Sequence, residues 1–102
     1  MVYNKLVRDM IPSIIESNGQ KPNTRILSDE EYMIALEQKL DEEVSEYHQD
    51  KNLEELADIL EVVYALCENL GHSKEELQKT YEKKHAERGG FRDRVLLISN
   101  DG

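Results

Sequence analysis

Four acidic residues, arranged as two pairs, are the strongest candidates for chemistry in this chain. Glu43 is followed by Glu46, and Glu55 by Asp58, each pair with the same spacing of three. On a helix, residues with this spacing lie on one face about one turn apart, so each pair presents two carboxylates together. If the polar stretch 49–52 turns the chain between antiparallel helices, all four carboxylates converge at one end of a hairpin. Hard oxygen ligands of this kind suit Mg²⁺, and also Mn²⁺.

The position of Glu43 departs from a simple amphipathic pattern. It occupies a core-like step in an otherwise apolar helical series, which runs Met33, Leu36, Leu40, Glu43, Tyr47. An ionised carboxylate at such a step needs a partner or a metal, because isolated buried charge is costly. The next helix has a main apolar stripe, made of Leu53, Leu56, Leu60, Val63, Cys67 and Leu70. Glu55 and Asp58 start the opposite face, which becomes apolar further along and is expected to contact protein.

An ordinary structural role is the competing interpretation of the acidic pairs. Pairs with this spacing are common on solvated helices. Glu55 also lies three positions after Asn52, where a glutamate helps to close a helix start. Either pair alone favours that interpretation, whereas both pairs together, with Glu43 in a core-like step, favour a shared site.

The elements that must position these carboxylates are predicted to be helices. Start and stop signals predict four helices, over 10–17, 29–49, 53–70 and 74–88. The expected N-terminal caps are Asp9, Ser28 with Glu31, Asn52, and Ser73 with Glu76. Residues 91–102 contain the apolar run 95–98, which is either a short strand or an arm packed on a neighbour, since four residues carry no decisive periodicity. The expected fold class is all-α, a helical hairpin with additional short helices.

Composition limits the classes of function. The 102 residues fit a single domain, 1–102, and a chain with 38% hydrophobic and 34% charged residues gains stability by forming oligomers. A net charge of −9 argues against a nucleic-acid polymer as partner and against binding to anionic membranes. Cys67 is the only cysteine, which indicates a reducing, cytoplasmic compartment. No signal core is apparent, and no apolar run approaches the roughly 18 residues of a membrane span.

Four strings of the sequence resemble one known group of enzymes. The motifs E-x-x-E and E-x-x-D stand within KLDEEVSEY and LEELADILEVVYAL, and YNKLVRDMIP and KKHAERGGFRDR flank them. Together they resemble the all-α nucleoside triphosphate pyrophosphohydrolases, which include the MazG-like enzymes and the phosphoribosyl-ATP pyrophosphohydrolases. The two flanking strings are similar to one MazG-like subgroup.

The resemblance implies hydrolysis of a nucleotide between its α and β phosphates, with release of a monophosphate and pyrophosphate. It implies Mg²⁺ as cofactor, with the ligands Glu43, Glu46, Glu55 and Asp58. It also gives Glu42 a role beside the catalytic residues Glu43 and Glu46, either supporting the ligands or orienting the attacking water. Proteins of this group assemble as dimers or tetramers in which helical hairpins pair, so the resemblance implies a homodimer or homotetramer that forms a multi-helix bundle.

This chemistry is reasonable from the residues themselves. Mg²⁺ neutralises phosphate oxygens and lowers the pKa of a bound water, and a carboxylate can accept the proton. Without a metal, facing carboxylates repel one another, so raised pKa values or partial disorder are expected.

Phosphate groups also need cationic contacts. Lys83 and Arg88, followed by Arg92, are the first candidates, although basic residues near the end of a helix also interact favourably with its dipole. Lys5 and Arg8 form a second candidate set, for which a surface ion pair is the competing interpretation.

Three functions therefore remain open. The first is a Mg²⁺-dependent pyrophosphohydrolase that clears non-standard or excess nucleotides. The second is phosphoribosyl-ATP hydrolysis in histidine biosynthesis, which uses the same helices and ligands. The third is a non-enzymatic helical module whose acidic face docks on a basic partner, with binding that weakens in salt.

Overall fold

The computed structural model describes residues 4–101, and in this range the chain forms four α-helices and no strand. The helices are α1 (Ile11–Ser17), α2 (Asp29–Asp50), α3 (Leu53–Asn69) and α4 (Lys74–Arg88). The expected all-α class is confirmed, and every helix bound lies within one residue of its predicted position. Tyr3, in the first flanking string, and Gly102 fall outside the described residues.

The two capping boxes predicted from the sequence are both present. At the start of α2, the Glu31 N–H donates to Ser28 Oγ, and the Ser28 N–H donates to Glu31 Oε1 at 3.0 Å. Ser73 and Glu76 make the same reciprocal pair at the start of α4. Each box satisfies two backbone donors that a helix start leaves unpaired, so the two helix starts are fixed by local chemistry.

The start of α1 differs from its prediction. Met10 occupies the N-cap position and makes no side-chain capping bond, so the expected cap by Asp9 is wrong. Pro12 lies in the first turn, where its missing N–H leaves no hydrogen bond unmade, and this suffices to begin a helix of seven residues.

Helices α2 and α3 form an antiparallel hairpin. The chain reverses through Lys51, in the left-handed conformation with φ of 47°, and Asn52, whose side chain caps α3. The buried residues of the described chain all lie in this hairpin; they are Leu36, Glu43, Val62 and Cys67. The hairpin is therefore the core of the chain.

The main apolar stripe predicted on α3 is only partly covered. Leu53 is 80% exposed, and Leu56 and Leu60 are each 47% exposed, whereas Val62 on a different face is buried. The sequence pattern identified an apolar surface correctly but not which part of it this chain covers.

Helix α4 leaves the hairpin after a short contact. Leu77 and Tyr81 lie beside Leu60 and Tyr64 of α3. Every residue from 78 to 101 is exposed, and 95–98 has no regular secondary structure, so the strand alternative for this run is wrong. The molecule is elongated, with principal extents of 62 × 31 × 22 Å. None of the helices within the described range is long and apolar enough to cross a membrane.

Candidate metal and catalytic site

Glu43 is a buried carboxylate with one oxygen paired and the other unpaired. It lies on α2 at 6% exposure, as its core-like step predicts. Its Oε1 is 3.2 Å from Lys39 Nζ, one turn earlier on the helix. Its Oε2 is buried and has no hydrogen-bond partner in the part of the chain that the structure describes. Leaving a charged oxygen desolvated and unpaired is costly, so this atom is a strong candidate ligand for a cation.

Glu55 decides between two interpretations of the acidic pairs, helix capping and a shared site. Its backbone N–H donates to Asn52 Oδ1 at 2.9 Å, so Asn52 caps α3 as predicted. In α2 and α4, the glutamate at the equivalent position reaches back to the N–H of the cap residue. The side chain of Glu55 makes no such bond, and its Oε2 is buried without a partner among residues 4–101. Helix capping therefore accounts for the backbone of Glu55 but not for its carboxylate.

The hairpin brings the predicted ligands together as two overlapping groups of carboxylates. One group is Glu43, Glu55 and Asp58, and the other is Glu42, Glu43 and Glu46. Within each group, one oxygen from every residue lies within 4.8 Å of the others. Two oxygens on opposite sides of one Mg²⁺ are about 4.2 Å apart. The spacing therefore fits a divalent cation with only small side-chain shifts, and Glu43 belongs to both groups.

Mutual repulsion and burial raise two pKa values in this carboxylate cluster, as expected without a metal. The negative charge of Glu43, followed by partial burial, raises the pKa of Glu46 above its ordinary value. Burial, followed by the charges of Asp50 and Asp58, raises the pKa of Glu55. Both shifts mean that the cluster disfavours its own full ionisation, and a bound cation would relieve this.

Lys39 is a member of the site that the sequence analysis missed. Its side chain is 14% exposed, and its Nζ lies 3.4 Å from Glu42 Oε1 and 3.2 Å from Glu43 Oε1. Burial acts to lower the pKa of Lys39, but the pairing with Glu43 and the charge of Glu42 outweigh it and raise this pKa. The available signal was its spacing of three and four residues before the two glutamates, which places all three on one face.

Lys5 and Arg8, the second set of predicted phosphate contacts, lie at the edge of the carboxylate cluster. Lys5 Nζ is 3.4 Å from Glu42 Oε1. Arg8 is 3.4 Å from Asp58 Oδ1 and 3.0 Å from Glu61 Oε1. Exposed ion pairs of this kind contribute little stability, typically about 0–1 kcal/mol. The ion pairs do show where the segment before α1 lies: it holds two cationic side chains beside the candidate ligands.

The first set of predicted phosphate contacts lies elsewhere. Lys83, Arg88 and Arg92 belong to the exposed stretch 78–101. None of them forms a hydrogen bond or ion pair with the carboxylate cluster within the described residues. The expectation that they line the site is therefore not met inside one chain.

Comparisons with known proteins leave the family open. No family model matches the chain, and no solved structure matches it. An uncharacterized protein of Mycolicibacterium smegmatis (strain ATCC 700084 / mc(2)155) is 57% identical over 42 residues. This match covers 41% of the chain and 43% of the relative, so less than half of either protein is aligned.

Proposed function

We propose that this chain is a MazG-like, Mg²⁺-dependent nucleotide pyrophosphohydrolase that cleaves the bond between the α and β phosphates. The observation that carries the proposal is the pair of buried, unpaired carboxylate oxygens, Glu43 Oε2 and Glu55 Oε2. They belong to residues that converge from two helices with Asp58. Acidic residues that only keep a protein surface hydrated would not have carboxylate oxygens that are desolvated in this way.

The proposed metal ligands come from both acidic pairs. Glu43, Glu55 and Asp58 would hold one Mg²⁺, and Glu46 completes the set from the neighbouring group. All are hard oxygen donors, which favours Mg²⁺ and allows Mn²⁺. Bound Mg²⁺ supplies charge neutralisation for the phosphates and a lowered pKa for a coordinated water.

The side chains have distinct proposed roles in the hydrolysis. A water oxygen attacks the α phosphorus, the bond to the bridging oxygen breaks, and pyrophosphate leaves with the bonding electron pair. Glu46, which lies in the group formed with Glu42 and Glu43, accepts the proton of the water. Glu42 is held by Lys5 and Lys39 and orients the water.

Lys5 and Arg8 are the proposed phosphate contacts within the same chain. Both already pair with carboxylates of the site, so a polyphosphate that binds there meets their charges. The planar guanidinium of Arg8 can donate two parallel hydrogen bonds to a phosphate, which Lys5 cannot.

We also propose that the protein works as a homo-oligomer, a dimer or a tetramer, in a reducing cytoplasmic compartment. A compact domain of this length has a radius of gyration of about 13 Å. This chain has one of 18.1 Å, and its single cysteine, Cys67, is a buried free thiol.

A nucleotide panel with Mg²⁺ tests the proposal. The panel contains ribo- and deoxyribonucleoside triphosphates, modified nucleotides and phosphoribosyl-ATP, and the assay scores pyrophosphate against orthophosphate. We expect pyrophosphate, no turnover with chelator, and a loss of about 100-fold or more in Glu43→Gln, at least as large as the loss of a residue that supports a metal ligand. Glu37→Gln, an exposed change on the same helix, is the control. A phosphoribosyl-ATP preference would select the histidine-biosynthesis alternative.

Other outcomes contradict the proposal. Orthophosphate release would indicate scission of a different bond. The absence of turnover with every nucleotide, together with salt-sensitive binding to a basic protein, would select the interaction module instead.

A further inference from the structure

The stretch after α4 carries apolar side chains that are largely exposed. We call residues 91–98 the apolar arm. Phe91 is 97% exposed, and the four residues 95–98 are each between 77% and 88% exposed. Within the described range, no residue from 82 to 101 forms a hydrogen bond or ion pair with α1, α2 or α3. Exposed apolar groups in one run mark a surface that another molecule covers.

The pattern of the arm requires cover on two sides. In an extended segment, successive side chains point to opposite faces. All four residues from 95 to 98 are apolar, so both faces are apolar. A segment of this kind fits between packed elements, and its own chain offers it none.

An uncovered apolar surface of matching character lies on α3. We call Leu53, Leu56 and Leu60 the α3 stripe, because their spacing of three and four places them on one face. Helix α4 approaches this face only at Leu60, and Leu53 and Leu56 remain 80% and 47% exposed. The stripe starts at the hairpin turn, in the same two helical turns that carry Glu55 and Asp58. Glu55 and Asp58 start the opposite face of these turns, so a segment that covers the stripe lies across α3 from them, at the same end of the hairpin.

The amount of exposed surface supports a second copy of the chain as the occupant. A compact monomer of this mass, 11.9 kDa, exposes about 5,900 Å². This chain exposes 9534 Å², an excess of about 3,600 Å². A standard interface buries about 800 Å² on each partner, so the excess is enough for several such contacts.

Charge complementarity gives the docking a direction. Three arginines lie at the start of the apolar arm: Arg88 precedes it, and Arg92 and Arg94 lie within its first residues. The end of the hairpin presents a cluster of carboxylates, in a chain with a net charge of −9. Arms that approach the α3 stripe of another copy are therefore attracted to it by opposite charge.

We propose that the apolar arm of one chain docks on the α3 stripe of a second copy and places Arg88, Arg92 and Arg94 beside the carboxylate cluster of that copy. The docking stands on the observations above alone, whereas the role of these arginines as phosphate contacts rests on the proposed function. This docking between copies explains why the basic residues near α4 have no phosphate site within their own chain.

Crosslinking tests the docking without reference to activity. Two differently tagged chains, both with Cys67→Ala, carry Leu56→Cys on one and Leu97→Cys on the other. A short bismaleimide should link them into a heterodimer. Ile26→Cys, at a position that is 94% exposed, replaces Leu56→Cys as the control and should give only background. Two results overturn the proposal. One is that a chain carrying both cysteines crosslinks only within itself. The other is a heterodimer yield no higher than that of the Ile26→Cys control.

Sedimentation provides a second test. Leu97→Asp places a charge in the arm and should shift the mass of the oligomer towards that of a smaller species, without loss of helical circular dichroism. Ser99→Asp adds the same charge at a polar position of the same segment and should leave the mass unchanged. An unchanged mass for Leu97→Asp overturns the docking.

Complementation tests the arginines. Chains with Glu43→Gln keep their arginines, and chains with Arg88→Ala, Arg92→Ala and Arg94→Ala keep their carboxylates. In a twofold dimer, mixing creates hybrids with one intact site, and activity should recover to about a quarter of the wild-type value. If the wild type is active and the mixture is not, the arginines do not act between chains. If the Leu56→Cys and Leu97→Cys chains crosslink but the wild type hydrolyses nothing, the phosphate role is wrong and the docking stands.

Discussion

At the scale of single residues, the contrast among three glutamates carries most of the argument. Glu31, Glu55 and Glu76 each lie three positions after a helix cap. The side chains of Glu31 and Glu76 accept a hydrogen bond from the cap residue, whereas Glu55 buries an oxygen in the carboxylate cluster. The sequence predicted that Glu43 would be buried, because its place in an apolar series is a local property. The sequence analysis did not identify Lys39 as a member of the site, since the pairing of a lysine side chain depends on which groups lie around it in the fold.

We predict that Glu55→Gln stabilises the metal-free protein. The pKa of Glu55 is raised in the folded state above 4.5, so ionisation of this group favours the unfolded state. Stability of the wild type should therefore fall as pH rises from 4.5 through the folded-state pKa. Glu55→Gln should lack this contribution, and its melting temperature should exceed that of the wild type at neutral pH but not in acid.

The control for this prediction is Glu54→Gln. Glu54 is the exposed neighbour on the same helical turn, and the substitution changes the charge equally. A rise in melting temperature that is the same in both variants would show that general charge reduction, and not the buried position of Glu55, is responsible.

We predict the opposite effect for Lys39→Met. Removal of the ammonium leaves the buried Glu43 without its cation and Glu42 with Lys5, which should cost about 1–3 kcal/mol in metal-free protein, as for other buried groups that lose a partner. Urea unfolding measures this cost, and Mg²⁺ should recover more stability in Lys39→Met than in the wild type. Lys79→Met, an exposed change on α4, should be nearly neutral; equal losses in both variants would contradict the role of Lys39.

At the scale of elements, the sequence predicted those features that depend only on neighbouring atoms. The caps of α2, α3 and α4 follow from a polar side chain and nearby backbone donors, and all three are present. The cap of α1 was wrong because proline alone begins that short helix. The cover of the α3 stripe could not be predicted, because periodicity identifies an apolar face but not the neighbour that packs against it.

We predict that Asn52→Ala weakens both the hairpin and the metal site. Loss of the bond from the Glu55 N–H should cost about 1 kcal/mol of stability. The first turn of α3 then frays, so Mn²⁺ affinity should fall as well. Asn69→Ala, at the other end of α3, should change neither quantity by a comparable amount, and a Mn²⁺ affinity that Asn52→Ala leaves intact would contradict the link between cap and site.

At the scale of the whole molecule, the chain is more extended than a compact domain of its length. The low hydrophobic fraction already indicated assembly, and the structure adds where the uncovered surface lies: the apolar arm and the α3 stripe. The separation of acidic and basic regions was visible in the sequence. The proposed relation of these regions between copies was not visible, because it depends on an interface that a single chain does not contain.

We predict that the melting temperature rises with protein concentration. Association that favours the folded state stabilises it by mass action, so dilution should lower the midpoint. The same dilution should have little effect on a chain that ends after Gly90, because it lacks the apolar arm. A wild-type midpoint that is independent of concentration would contradict the oligomer.

The most direct test is a Mn²⁺ titration followed by electron paramagnetic resonance, in which bound ions lose the signal of free Mn²⁺. We expect saturable binding to the wild type and to Glu37→Gln, competition by Mg²⁺, and loss of the site in both Glu43→Gln and Glu55→Gln. Equal Mn²⁺ binding in all four proteins, or none in any of them, would contradict a metal site at the end of the hairpin.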